Sequence, residues 1–184
     1  MKSANLLFLL LFLSSYAYTQ KKAPKCDKVD ALSVNYIDEV PDSYTGSIKV
    51  CYETGELSSL LTLDNGLSDG LSKQWFKNGE RKVEESYKKG VLDGKSRSWY
   101  ESGNKQAETV YLDGKAEGRS QIWYDSGQLK KELTFKEGLP NGRITFYFEN
   151  GKIEYTVMLI GGIEQGIAKT FYEDGSRSIE VNYD

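Results

Sequence analysis

Three sets of side chains in this 184-residue chain are of types and spacings that could do chemistry. The first is aromatic and cationic: Trp75, Trp99 and Trp123 recur at a constant interval, with Lys73, Lys95, Arg97 and Arg119 close to them. Indole faces attract cations and stack on flat ligands, so such a stripe would suit a glycan, an anionic polymer or an acidic partner. The second is a column of carboxylates, Glu84, Glu108, Glu132 and Glu180, and paired carboxylates are the tools of acid–base hydrolysis. The third is the only cysteine pair, Cys26 and Cys51. The chain has no histidine, which removes Ser-His-Asp and Cys-His nucleophile activation and His-ligated zinc or haem. A net charge of −3 opposes nucleic-acid binding, which needs a clustered positive excess to neutralise phosphates. No nucleophile, base, metal or cofactor constellation stands out, and the chain reads as a non-enzyme with no cofactor.

The elements that must carry these residues follow from the glycines. Glycine recurs at 46, 70, 94, 118, 142 and 166, again at 55, 79, 103, 127, 151 and 175, and again at 66, 90, 114, 138 and 162. All but one of the 18 glycines obey the 24-residue step, Gly161 alone falling outside. Such self-similarity is the signature of a repeat architecture. Six copies fit without a gap: 41–64, 65–88, 89–112, 113–136, 137–160 and 161–184. Two aromatic columns follow the first glycine, Cys51/Trp75/Trp99/Trp123/Tyr147/Phe171 and Tyr52/Phe76/Tyr100/Tyr124/Phe148/Tyr172. A triplet ending in glycine comes next, as in KNG or DSG, and marks a tight turn. The stretch after it alternates, as in QLKKELTF, and period two means a half-buried strand. Each copy is therefore strand, turn, strand and a glycine-bracketed loop. Six hairpins predict an all-β, elongated antiparallel meander of about twelve strands.

The pattern G-x4-[WYF]-[YF]-x2-G, followed by a charged strand ending in Tyr or Phe and x2-G-x3-G, resembles the MORN repeat, in its bacterial variant. GKSRSWYESGNKQAETVYLDGKAEG, residues 94–118, carries the resemblance well. Copy one departs from it with Cys51 in an aromatic column, and copy five is unusually apolar (IEYTVMLIGG). The resemblance implies scaffolding, protein binding or membrane association, and an antitoxin-like branch of the bacterial variant implies an immunity-type role against a partner toxin.

Pairing Tyr52 with Leu57 across the turn sets a register for every copy. It places Lys49 opposite Leu60, Lys73 opposite Glu84, Arg97 opposite Glu108, Gln121 opposite Glu132, Thr145 opposite Thr156 and Lys169 opposite Glu180. Cation meets Glu three times, a favourable arrangement that specifies register. The first face then carries the Trp column and the charge pairs, with Lys82, Gln106 and Lys130 between the indoles. The second, more apolar face carries Leu61, Val83, Leu133, Val157 and Val181 beside the Leu63/Tyr87/Tyr111 column, and is expected to be the packed side. The stripe also has a purely structural reading, in which Lys and Arg stems cover ladder aromatics and carry their charges to water. In that reading each Glu of the column simply balances a cation.

Ahead of the repeats, residues 1–17 have the layout of a signal peptide: Lys2, an apolar run Leu6–Leu13, then small residues. Ser15 and Ala17 place cleavage after Ala17, so the protein is expected to be exported to the periplasm, cell surface or medium. Residues 18–40 form a polar leader in which VDALSVNYI could supply a capping strand. An even cysteine count in an exported chain favours a Cys26–Cys51 disulfide tying that leader to the first hairpin, with two free thiols as the alternative. The sequence thus points to an exported protein-binding or scaffold module at the cell envelope. The alternatives are an antitoxin-type protein and a binder of envelope glycan or lipid through the Trp–Lys/Arg stripe.

Overall fold

A computed structural model describes residues 24–34 and 40–183. The expected signal peptide and its cleavage site lie outside the described residues. Fifteen strands form one sheet: β1 (Leu32–Ser33), β2 (Gly46–Cys51), β3 (Leu57–Asp64), β4 (Leu67–Ser68), β5 (Gly70–Trp75), β6 (Arg81–Lys88), β7 (Val91–Trp99), β8 (Lys105–Leu112), β9 (Lys115–Trp123), β10 (Leu129–Lys136), β11 (Leu139–Pro140), β12 (Gly142–Tyr147), β13 (Ile153–Ile160), β14 (Ile163–Phe171) and β15 (Arg177–Tyr183). Every consecutive pair from β2 onward is antiparallel, and the fold is all-β. The six expected hairpins are β2–β3, β5–β6, β7–β8, β9–β10, β12–β13 and β14–β15.

The count exceeds twelve because the leader supplies β1 and because the stretch expected to be a loop is itself a hairpin, which adds β4 and β11. Two residues, such as Asn65-Gly66 or Asp113-Gly114, make each connection, and both have positive φ (47° and 74°, 48° and 78°). That is the turn whose twist matches a right-twisted ribbon. The chain then continues straight into pairing, as the short strands β4 and β11 or as the first residues of β7, β9 and β14. Each turn is also tied to the preceding copy: the amide of Gly90 donates to the Ser68 carbonyl and that of Gly114 to the Leu92 carbonyl, both at 2.8 Å.

All six predicted cross-strand pairs are present, from Lys49 opposite Leu60 to Lys169 opposite Glu180. The turn that closes them differs from expectation. Tyr52 pairs with Glu56, its amide donating to that carbonyl at 2.8 Å, and Leu57 sits opposite Cys51 rather than Tyr52. A one-residue bulge just inside the turn then restores the predicted register. The same bulge recurs at the same place in all six hairpins.

The sheet is one layer, and its apolar contacts concentrate on the second face, as expected. Leu133, Ile144, Val157, Leu159 and Ala168 form a buried cluster, with Phe135, Phe146 and Tyr155 packed against it. At the other end Ile48 and Leu57 are fully buried. Burial of each removes roughly 2 kcal/mol worth of apolar surface from water.

The leader caps that end. β1 runs parallel to β2, Leu32 opposite Ile48 and Ser33 opposite Lys49, so the Leu32–Ser33 part of the predicted segment does supply a strand. Residues 35–39 lie outside the described residues. Cys26 and Cys51 are disulfide-bonded with their Cα atoms 6.2 Å apart. Lys49 Nζ donates to the carbonyls of Cys26 and Val29 at 2.8 and 2.6 Å, and Leu57 N donates to Pro24 O at 2.9 Å. At the far end the last strand carries Glu180, with Ile179, Val181 and Tyr183 exposed beside it.

Candidate binding site on the tryptophan face

Trp75, Trp99 and Trp123 close strands β5, β7 and β9, one per copy, because each is the last residue before the tight turn. The cations that cover them are not those expected. The turn bulge brings residue 81, not 82, opposite Trp75, and residue 105, not 106, opposite Trp99. From there the Arg81 guanidinium lies 5.2 Å from the centre of Trp99, and Lys105 Nζ lies 5.0 Å from that of Trp123. Each cation thus bridges from the indole opposite it to the indole of the next copy. Lys82 and Lys130 fall on the other aromatic column instead, over Phe76 and Tyr124. A one-residue shift moves a side chain to the opposite face, which is why the expectation failed at these positions.

Between Trp75 and Trp99 lies an open hollow of about 550 Å³, floored by Arg81 and walled by Glu80, the turn glycines 79 and 103, and Pro24 of the leader. The disulfide-anchored leader therefore reaches the Trp face. Both indoles are half-buried.

The four expected stripe cations are spread over other tasks. Arg97 Nη1 and Nε hold Glu84 at 2.9 Å and Glu108 at 3.1 Å. Arg119 Nε holds Glu132 at 2.9 Å. Lys73 stands opposite Glu84 in register, but the Glu84 carboxylate is taken by Arg97 and by Arg81, also at 2.9 Å. Lys95 lines a separate hollow of about 540 Å³ with Glu108, Glu117 and Arg119. The hairpin pairs join across the copies, Leu60 with Lys73, Glu84 with Arg97 and Glu108 with Gln121, so one row of alternating charge crosses the middle of the sheet.

Glu108 in this row is not placed to act as a general acid. A general acid needs a carboxyl held above its usual range. Glu108 is moved the other way: the Lys105 hydrogen bond, and then Arg97, lower it against the opposing effect of its burial. Glu180 is ion-paired with Arg177 at 2.9 Å. Among the described residues no group of three or more His, Cys, Asp or Glu could hold a metal ion.

Hydrogen bonds between copies give the Tyr52 column a role that the sequence did not announce. The hydroxyls of Tyr52, Tyr100 and Tyr124 donate to the carbonyls of Trp75, Trp123 and Tyr147, at 2.6, 2.8 and 2.9 Å. In the turns, Asn78 and Asn104 side chains donate to the carbonyls of Glu101 and Asp125 in the next copy. These bonds fix the spacing of successive indoles. A recurring Tyr one residue after the Trp was the available signal.

Arg81, Glu84, Arg97, Lys105 and Glu108 thus form one ion-paired network beneath the indoles, while Trp75 and Trp99 keep an open hollow between them. No curated protein matches the chain. Among solved structures, a crystal structure of a mutant S. aureus TarM in complex with fondaparinux, alpha-GlcNAc-glycerol and UDP is similar, with a TM-score of 0.34 and 12% identity. The similarity covers 52% of this chain and 19% of that one, so this chain spans well under two thirds of its length. Family comparison is more informative. The MORN repeat variant matches residues 68–89, 92–113, 116–137, 140–158 and 164–184, and the hairpin β2–β3 ahead of them continues the same sheet. Matches over more than half of the sequence, each falling on the strand–turn–strand unit seen in the sheet, establish that this chain belongs to the MORN repeat variant family.

Proposed function

We propose that the protein is an exported, non-enzymatic interaction module that holds another protein against its sheet at the cell envelope. The observation that carries this reading is the open hollow between Trp75 and Trp99 with Arg81 at its floor. Trp and Arg in a concave surface site are the residue types that dominate binding energy at protein interfaces. The ion-paired row beside it holds those groups in place before a partner arrives, which lowers the ordering cost of association. Export is supported by the charged, apolar and small-residue layout of 1–17.

The test is affinity capture from an envelope extract with the exported chain, followed by reconstitution with the recovered protein in pure form. Trp99→Ala and Arg81→Ala, with circular dichroism unchanged, should each weaken that pure complex on the order of tenfold or more. Unchanged affinity in both variants would sink the reading. Rescue from the toxicity of a co-expressed partner would mark the narrower, antitoxin-type form of the same function.

A glycan is the second reading, favoured by two indoles flanking one hollow. It predicts retention on insoluble envelope polysaccharide, lost in Trp75→Ala and Trp99→Ala alike.

A further inference from the structure

The last two copies carry an apolar patch on the Trp face that the fold does not require. Ile160 and Ile163 pair with each other across the Gly161-Gly162 turn and are 62% and 67% exposed. Met158 and Ile167 lie beside them, also exposed. The repeat supplies its own control. Three copies earlier the same four positions are Ser86, Lys88, Val91 and Lys95, and one copy earlier they are Thr134, Lys136, Leu139 and Arg143. The same strands and turns form there. Lysine, arginine, serine or threonine therefore satisfies the hairpin at the positions of Met158, Ile160 and Ile167, while the position of Ile163 is apolar and exposed in those copies too. Contiguous exposed apolar groups that folding does not need mark contact surfaces.

The patch also has uncompensated charge. Met158 and Ile167 line a hollow of about 420 Å³ together with Thr156, Gln165, Arg143 and Lys169. Among the described residues neither Arg143 nor Lys169 is in an ion pair, unlike Arg81, Arg97, Lys105, Arg119 and Arg177. Glu180 stands opposite Lys169 in register, but its carboxylate is held by Arg177. Two free cations thus border an apolar floor, on a chain whose net charge is negative.

We propose that this C-terminal surface docks a segment of a partner protein in which a carboxylate is flanked by apolar side chains. The carboxylate would lie between Arg143 and Lys169, and the apolar side chains on Met158, Ile160, Ile163 and Ile167. Charge complementarity argues for an acidic segment, and the concave shape for a chain rather than a flat surface. A bilayer is disfavoured, because two cations contribute only about 2 kcal/mol towards an anionic membrane, against a net negative protein. The inference rests on the reading of the sheet as a protein-binding module, but it uses a surface that does not include Trp75 or Trp99.

The experiment is selection of a random displayed peptide library on the exported chain, with affinities of the selected peptides measured by fluorescence polarisation. The expected result is a consensus of Asp or Glu among Ile, Leu, Val or Phe. Ile160→Lys and Ile167→Lys place in copies five and six residues that the chain already uses in copy two and three, so folding is preserved, and each should weaken the peptide on the order of tenfold. Arg143→Glu with Lys169→Glu should abolish binding and restore it for a peptide whose carboxylate is changed to lysine. Trp99→Ala should leave peptide affinity unchanged, so failure of the Trp-face reading and failure of this one are separable. Peptides without the acidic–apolar pattern, or affinity indifferent to the four substitutions, would overturn the proposal. Two further results would do the same: self-association abolished by Ile160→Lys, which would assign the patch to a second copy, and binding to phosphatidylglycerol vesicles with none to peptide.

Discussion

Removing the disulfide should loosen one end of the sheet and leave the other untouched. Cys26 and Cys51 enclose a loop of 25 residues, for which the chain-entropy relation gives about 3.5 kcal/mol. In a repeat sheet each hairpin touches only its neighbours, so this energy acts on the leader and the first hairpin, and its influence decays from copy to copy. What it holds down is specific: Leu57 N on Pro24 O, Cys26 N on Gly55 O, Val34 N on Lys49 O, and the cover over Ile48 and Leu57. In the Cys26→Ala, Cys51→Ala variant, native-state amide exchange in β2 and β3 should accelerate on the order of 300-fold, the equivalent of that energy at about 1.4 kcal/mol per tenfold. Exchange in β8 to β13 should change by less than about twofold, since among the described residues no hydrogen bond or strand pairing there involves the leader. Uniform acceleration along the whole chain would refute the nearest-neighbour reasoning. Unchanged exchange in β2 and β3 would show that the leader holds without its covalent tie.

Other outcomes follow from the same geometry. Tyr100→Phe and Tyr124→Phe each remove one bond between copies and should cost about 1 kcal/mol in urea melts, additively only if the two bonds are independent. A Cβ at Gly94, where φ is +113°, would meet Ser86 Cβ at 2.9 Å, whereas at Gly118 it meets nothing within 4 Å. Gly94→Ala should therefore lower thermal stability well beyond the roughly 1–2 kcal/mol expected of Gly118→Ala, which carries only the left-handed backbone cost. Acid should release the leader: the Lys25 hydrogen bond holds Glu56 down at about 2 against an ordinary 4.5. Depressed carboxyls stabilise above their unfolded values, so this contribution fades as pH falls from 4.5 towards 2, read by exchange in residues 24–34. Burial, and then Glu85 and Glu164, push Tyr87 and Tyr155 up to about 12 from 10.0, so their stabilisation is intact below pH 10 and lost as pH rises through 12. Phenolate absorbance and circular dichroism should then change together in that window.

Much of the fold is legible in the residues because the determinants are local and repeated six times. The 24-residue glycine lattice fixes where turns occur, and the alternation of apolar and polar residues fixes which side chains share a face. The charge pairs alone are enough to place Lys73 opposite Glu84 and Arg97 opposite Glu108, as the sheet has them. Site chemistry was less legible. Which cation stacks on which indole depends on how the turn closes. The turn closures Phe76–Glu80, Tyr100–Asn104 and Tyr124–Gln128, each one residue tighter than expected, put Arg81 and Lys105 on the indoles and Lys82 and Lys130 away from them.

The sequence by itself determined a one-layer sheet of six hairpins, its register and its packed face, because each is set by residues within a single 24-residue unit. Only the tertiary structure decided how units meet. Glu84 turns to Arg97 of the next copy and to Arg81 of its own strand, although Lys73 stands opposite it in register. The leader runs parallel to β2, and among the described residues the patch from Met158 to Ile167 stays exposed beside Arg143 and Lys169, which are in no ion pair there. Contacts between copies and with the leader involve residues far apart in the chain, and no local pattern encodes their geometry.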